Sequence, residues 1–150
     1  STDLGFAKQG RNYARDLNAS IAFVEKRRTA NDSKAKALTL IGNVKDRDVL
    51  IVDDEVLTGG SIEQAVGVVK KNGARDVYLA FIHPIFSEDG AKRLAQLPIK
   101  HMITTDTVPI SPKILKLLKG RLTVLSIAPM LGEVIRRAHE GRSVGEMFNE

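Results

Sequence analysis

The chain has 150 residues, 43% of them hydrophobic, enough for one ordinary domain with a substantial core, and a single domain over residues 1–150 is expected. It has no Cys, no apolar run approaching the ~20 residues of a membrane span and no charged-apolar-small pattern at Ser1, so no membrane span is expected within it and a cytoplasmic protein is predicted. A net charge of +5 raises nucleic acid as a partner, but aromatics are only 5% with no Trp, and the basic residues are dispersed outside Lys26, Arg27, Arg28, Lys34 and Lys36, so neither nucleic acid nor membrane is expected.

The first segment, T-D-L-G-F-A-K, is a short acid-glycine-lysine loop running into a helix. From there short apolar runs alternate with longer amphipathic ones, the pattern of an α/β fold with a parallel sheet and helices on both faces. The predicted strands are Ile21 to Val24, Leu38 to Ile41, Val49 to Val52, Val77 to Ile82, His101 to Thr104 and Leu122 to Ser126. Lys26 and Arg28 stand at a strand end and open the most loop-like stretch, TANDSKAKA from Thr29 to Ala37, which is polar and small enough to move.

Helices are predicted between the strands. Ser61 as N-cap and Gln64 three residues on have capping-box spacing, and Gly73 stops the helix Ile62 to Asn72, whose stripe of Ile62, Ala65, Val66 and Val69 is core. Ser111 and Pro112 start a second helix, Lys113 to Lys119, stopped by Gly120. The last pair covers Met130 to His139 and Val144 to Phe148, where Ser143 and Glu146 repeat the capping-box spacing. His83, His101 and His139 share no metal-ligand spacing with one another or with nearby acids, which favours core or surface roles.

The densest chemistry lies in VLIVDDEVLTGGS, residues 49–61. Val49 to Val52 suit a strand buried on both faces, and the polar groups begin where it ends. Asp53 and Asp54 are placed to accept hydrogen bonds from adjacent sugar hydroxyls. Thr58, Gly59, Gly60 and Ser61 lead into a helix whose free N–H groups favour an anion, and the glycines let backbone close on phosphate oxygens.

Hydrophobic strand, two acids, then T-G-G-S resembles the phosphoribosyl pyrophosphate (PRPP) loop of the type I phosphoribosyltransferase fold. With STDLGFAKQGRNYARDLN at the start, AFVEKRR at 22–28, IFSEDGAKRL at 85–94 and IRRAHEGRSVGEMF at 135–148, the whole chain is similar to the C-terminal half of the ribose-phosphate diphosphokinases, or PRPP synthetases. A fragment of a longer protein is expected ahead of a free-standing half, because the N-terminal half that carries most of the family's ATP surface has no counterpart here.

The resemblance implies Mg²⁺-dependent transfer of pyrophosphate from ATP to ribose 5-phosphate, giving PRPP and AMP, in a homo-oligomer. It implies that Thr58, Gly59, Gly60 and Ser61 anchor the 5-phosphate, and that Asp53 and Asp54 hold the ribose hydroxyls or the magnesium attached to them. Gly5 and Lys8 belong to a pyrophosphate-binding loop in which Asp3 is a magnesium ligand, a role that one carboxylate plus substrate phosphates can fill. Lys26 and Arg28 map onto the catalytic flexible loop, where two cations over the pyrophosphoryl group stabilise transition-state charge. Two departures stand out: Leu57 replaces a common carboxylate and cannot bind a metal or accept a hydrogen bond, and Pro84 replaces a usual glycine. Two alternatives stay open: a phosphoribosyltransferase that consumes PRPP, and a non-catalytic synthetase-associated homologue.

Overall fold

The computed structural model describes residues 7–28 and 36–148, so Asp3 and Gly5 lie outside the described residues, as does the greater part of the loop-like stretch after Arg28. The elements run α1 (Ala7–Asp16), β1 (Phe23–Arg28), β2 (Lys36–Ile41), β3 (Val49–Glu55), α2 (Gly60–Lys71), β4 (Val77–His83), α3 (Glu88–Gln96), β5 (His101–Thr105), α4 (Pro112–Leu117), β6 (Leu122–Leu125) and α5 (Ala128–His139), then a 3-10 turn over Gly145–Phe148. Strands β3, β4, β5 and β6 form a parallel sheet in that order. The fold is α/β, as the alternation of apolar and amphipathic segments predicts.

The first two strands depart from the parallel expectation. They pair with each other as an antiparallel ribbon, Phe23 opposite Ile41 and Arg28 opposite Lys36. A short polar connection can join antiparallel neighbours, whereas parallel neighbours need a crossover of a dozen residues or more, usually a helix. The predicted first strand also sits too early: Ile21 and Ala22 precede β1, which runs on through the basic residues to Arg28.

Side-chain alternation decides which face of the sheet is core. Ile51, Leu79 and Met102 lie in register across three strands and are buried, with Val77, Phe81 and Thr104 on the same face. Helix α2 buries Ile62, Ala65, Val66 and Val69 in this core, α3 buries Ala91 and Leu94, and α4 buries Ile114. The other face keeps Leu50, Ile82, Ile103 and Leu125 partly exposed, and α5 buries none of its residues. Among the described residues no helix is long and apolar enough to cross a membrane.

Two local expectations are corrected. Helix α2 begins two residues earlier than predicted, with Gly59 rather than Ser61 as N-cap, so Ser61 lies inside the first turn and the Ser61–Gln64 capping box does not form. Gly59 takes that place because its φ is 70°, a left-handed conformation that costs a Cβ-bearing residue. At the end of the chain the 3-10 turn replaces the predicted helix, and Glu146 turns to Arg137 Nη1 at 3.0 Å instead of closing a box with Ser143. The α4 prediction stands, with the Ser111 hydroxyl accepting from Ile114 N–H and Pro112 in the first turn.

The core should carry the stability. Fully burying a Leu contributes about 1.5–3 kcal/mol, and truncating one leaves a cavity as well. Leu79 is completely buried at the centre of the sheet, so Leu79→Ala is expected to lower the free energy of unfolding by about 2–5 kcal/mol in urea titration, with little change in the m-value.

Candidate functional site

The apolar run 49–52 ends at the carboxyl edge of the parallel sheet, where open α/β folds place ligands. Alternation continues into the acids. Asp53 pairs with Phe81 on the core face and is half-buried, while the next residue, Asp54, is exposed. Each carboxylate is held by the backbone ahead of it: Asp53 Oδ1 accepts from Asp54 N–H at 3.1 Å, and Asp54 Oδ1 accepts from Glu55 N–H at 2.9 Å. Burial, and then the neighbouring Asp54, pushes the Asp53 carboxyl up from 3.8 to about 6.

Beyond β3 the chain is fixed by β4 and α3. Val56 is buried and its N–H donates to the His83 carbonyl at 3.1 Å. The Leu57 carbonyl accepts from Ser87 N–H at 2.9 Å and from the Ser87 hydroxyl at 3.2 Å, and the same hydroxyl caps α3 by accepting from Gly90 N–H at 3.0 Å. Gly90 permits this approach, since a Cβ there would stand 2.2 Å from the Leu57 carbonyl oxygen. Phe86 packs edge-on against Phe81 with centroids 5.5 Å apart, fixing the segment that delivers Ser87.

The loop then turns at Gly59 and enters α2. The first helical N–H to find a carbonyl across this turn is that of Glu63, which donates to Gly59 at 2.9 Å. The N–H groups of Gly60, Ser61 and Ile62 therefore form the free positive end of a 12-residue helix. The structure brings Asp53, Asp54, Thr58, Gly59, Gly60 and Ser61 together at this edge, as the spacing predicts. Leu57, exposed by 49%, presents an apolar side chain between the acids and the glycines.

The other predicted residues are placed only in part. Lys8 falls in the first turn of α1, and Lys26 and Arg28 fall on β1, opposite Leu38 and Lys36. His83 Nδ1 lies 3.0 Å from Thr107 Oγ1, and His101 Nε2 lies 2.8 Å from Thr123 Oγ1. A cleft of about 520 Å³ between α1, the segment before β1 and the amino end of β3 contains none of the predicted site residues.

The bracing residues Ser87 and Gly90 were not singled out by sequence reasoning, nor was helix α3. Their signal was present: a Ser, two acids in the next turn, then Ala91 and Leu94 at helical spacing. Among the described residues no group of three or more Asp, Glu, His or Cys could hold a metal. Two hard carboxylate donors do suit a Mg²⁺ that completes its shell with water and substrate oxygens.

A family model described as phosphoribosyl synthetase-associated domain matches residues 7–149. The chain belongs to the phosphoribosyl synthetase-associated domain family. It is 36% identical over 148 residues to a ribose-phosphate pyrophosphokinase of Caldanaerobacter subterraneus, a match covering 99% of this chain and 46% of that protein. The corresponding enzyme of Haemophilus influenzae is 37% identical over 150 residues, covering 99% of this chain and 47% of its relative. The phosphoribosylpyrophosphate synthetase structure from Mycobacterium smegmatis superposes with a TM-score of 0.80 at 33% identity, covering 91% of this chain and 43% of that one. The chain thus spans about half the length of the relatives it matches.

The Asp53 environment makes a prediction about pH. The folded state holds the Asp53 proton more tightly than the unfolded chain, so the stabilisation is complete below about pH 4, is lost as the pH rises to about 6, and then stays constant. Asp53→Asn should remove that slope, which urea titrations at pH 4, 5, 6 and 7 would reveal as a flatter profile than the wild type.

Proposed function

We propose that this chain is the ribose-phosphate and pyrophosphate half of a ribose-phosphate diphosphokinase, corresponding to the C-terminal half of the two-domain protein. The observation that carries the reading is the braced T-G-G-S loop at the carboxyl edge of the sheet, with Asp53 and Asp54 at the preceding strand end, in a chain of the phosphoribosyl synthetase-associated domain family. In the reaction a hydroxyl of ribose 5-phosphate attacks the β-phosphorus of ATP, the pyrophosphoryl group moves to the sugar, and AMP leaves. Transfer of this kind depends on alignment and charge neutralisation more than on covalent help from the protein.

The roles follow from the chemistry of each group. Thr58 and the N–H groups of Gly60 and Ser61 hold the 5-phosphate, which fixes the ribose at one end. Asp53 and Asp54 accept from the ribose hydroxyls at the other. Mg²⁺ would be held by these carboxylates, by Asp3 and by substrate oxygens, and would supply positive charge to the phosphates. Gly5 and Lys8 serve the pyrophosphate, and Lys26 and Arg28 stabilise charge on the group in transfer. The ATP side belongs to the half of the relatives that this chain does not match, so the 150-residue chain is expected to bind ribose 5-phosphate without producing PRPP. The protein would work in the cytoplasm as a homo-oligomer.

The exposed Leu57, standing where the family commonly has a carboxylate, favours a second reading: a non-catalytic associated subunit that keeps the sugar-phosphate site. Both readings require binding, and turnover separates them. Calorimetry with ribose 5-phosphate and Mg²⁺ should give a saturable signal that Gly60→Val abolishes while the melting temperature stays within a few degrees. Absence of heat at millimolar ligand would reject both readings. In the protein carrying both halves, Lys26→Ala or Arg28→Ala should lower kcat by about a hundredfold or more with little change in KM. A wild-type two-domain protein with no PRPP synthesis would favour the associated subunit.

A further inference from the structure

The space beside Gly60 has a wall that the T-G-G-S motif does not supply. A methyl group placed on Gly60 would lie 3.2 Å from Nη1 of Arg93 and 3.8 Å from Oγ1 of Thr58. Glycine leaves this spot open, so a guanidinium from α3 and a hydroxyl from the loop border one small space at the first residue of α2. Arg93 reaches it because the first turn of α3 is docked on the Leu57 carbonyl through Ser87 and Gly90, with Ala91 and Leu94 buried beneath.

The partner that Arg93 now has is a weak one. Its Nε lies 3.4 Å from Glu63 Oε2, and the two side chains are 41% and 52% exposed. A pair this open contributes little, because water screens both charges. A phosphate dianion offers the guanidinium two parallel charge-assisted hydrogen bonds, a stronger match to its planar fork than one carboxylate oxygen. Glu63, in the first turn of α2, would itself repel a phosphate seated at that helix end. Drawing Arg93 over the phosphate both adds a cation and compensates that carboxylate.

We propose that Arg93 is a phosphate-binding residue of the sugar-phosphate site, closing the side that Gly60 leaves open, with Glu63 as the carboxylate that competes for it. This rests on the sugar-phosphate reading of the T-G-G-S loop and adds its selectivity for a phosphorylated sugar over the free sugar. The residue lies on an element that the motif does not include. Its part is electrostatic and directional: it neutralises the second phosphate charge and fixes the phosphate against rotation on the helix end.

The test is calorimetric titration of the 150-residue chain with ribose 5-phosphate, inorganic phosphate and ribose, using wild type, Arg93→Ala, Arg93→Lys and Glu63→Gln, each with a thermal melt. Arg93→Ala should weaken ribose 5-phosphate and inorganic phosphate at least tenfold and bring ribose 5-phosphate close to ribose. Arg93→Lys should recover part of that loss, and Glu63→Gln should tighten phosphate binding severalfold by freeing the guanidinium. Melting temperatures of all four should agree within a few degrees. If the wild type bound neither phosphate ligand, the sugar-phosphate reading itself would fall. Wild-type binding equalled by Arg93→Ala would overturn the role of Arg93 alone. A loss of binding in Glu63→Gln as large as in Arg93→Ala would also overturn it, because the pair would then be a structural clamp.

Discussion

The backbone carbonyl of Leu57 receives two hydrogen bonds from one residue, the N–H and the hydroxyl of Ser87, and the loop between β3 and α2 keeps its shape through that contact. Each such bond contributes only about 1 kcal/mol net. Their effect is larger than that sum because they position a whole helix. The Ser87 hydroxyl also caps α3, and α3 approaches so closely that the place of a Gly90 Cβ would lie 2.2 Å from the same carbonyl. Loop and helix therefore behave as one unit, and Arg93 arrives beside Gly60 as a result.

A second constraint is the period-two alternation of β3. It sends Ile51 and Asp53 to the core face and leaves Asp54 exposed, so two adjacent carboxylates of identical chemistry meet different solvents. Burial makes the Asp53 charge costly, and the Asp54 carboxylate adds to that cost. A cation or a set of hydroxyl donors would relieve that cost, and an apolar neighbour would not. The cleft beside α1 shares no predicted site residue with this edge.

Charge at the far end of the chain is organised for structure. Glu133 accepts from both Arg136 and Arg137, at 2.9 and 2.8 Å, which holds its carboxyl below the usual range. Arg137 continues to the Ser143 carbonyl and to Glu146, tying the 3-10 turn to α5. Arg137, whose side chain is only 16% exposed, holds Glu133 and Glu146 together, and these pairs orient the last turn where buried apolar residues do not. The apolar side chains of Met130, Leu131 and Ile135 remain exposed on the same helix.

The α/β class, four parallel strands with correct cores, the stripe of α2 and the grouping of Asp53, Asp54 and the T-G-G-S residues were legible in the amino-acid order, because each depends on local periodicity or on neighbours within a dozen positions. The N-cap of α2 was misread, since Ser is the stronger intrinsic cap and only the path of the chain from β3 demands a left-handed residue at Gly59. The antiparallel pairing of β1 with β2 was missed because an isolated apolar run carries no sign of its partner's direction. Helix α3 had its signals but no function to attract notice. What the order of residues by itself determined was the chemistry of the loop and the place of each side chain on its own strand or helix. Only the tertiary structure decided that Ser87 and Gly90 hold that loop and that Arg93 stands beside Gly60. Those contacts join residues roughly thirty positions apart, and nothing but the packing of α3 against the carboxyl edge of the sheet brings them together.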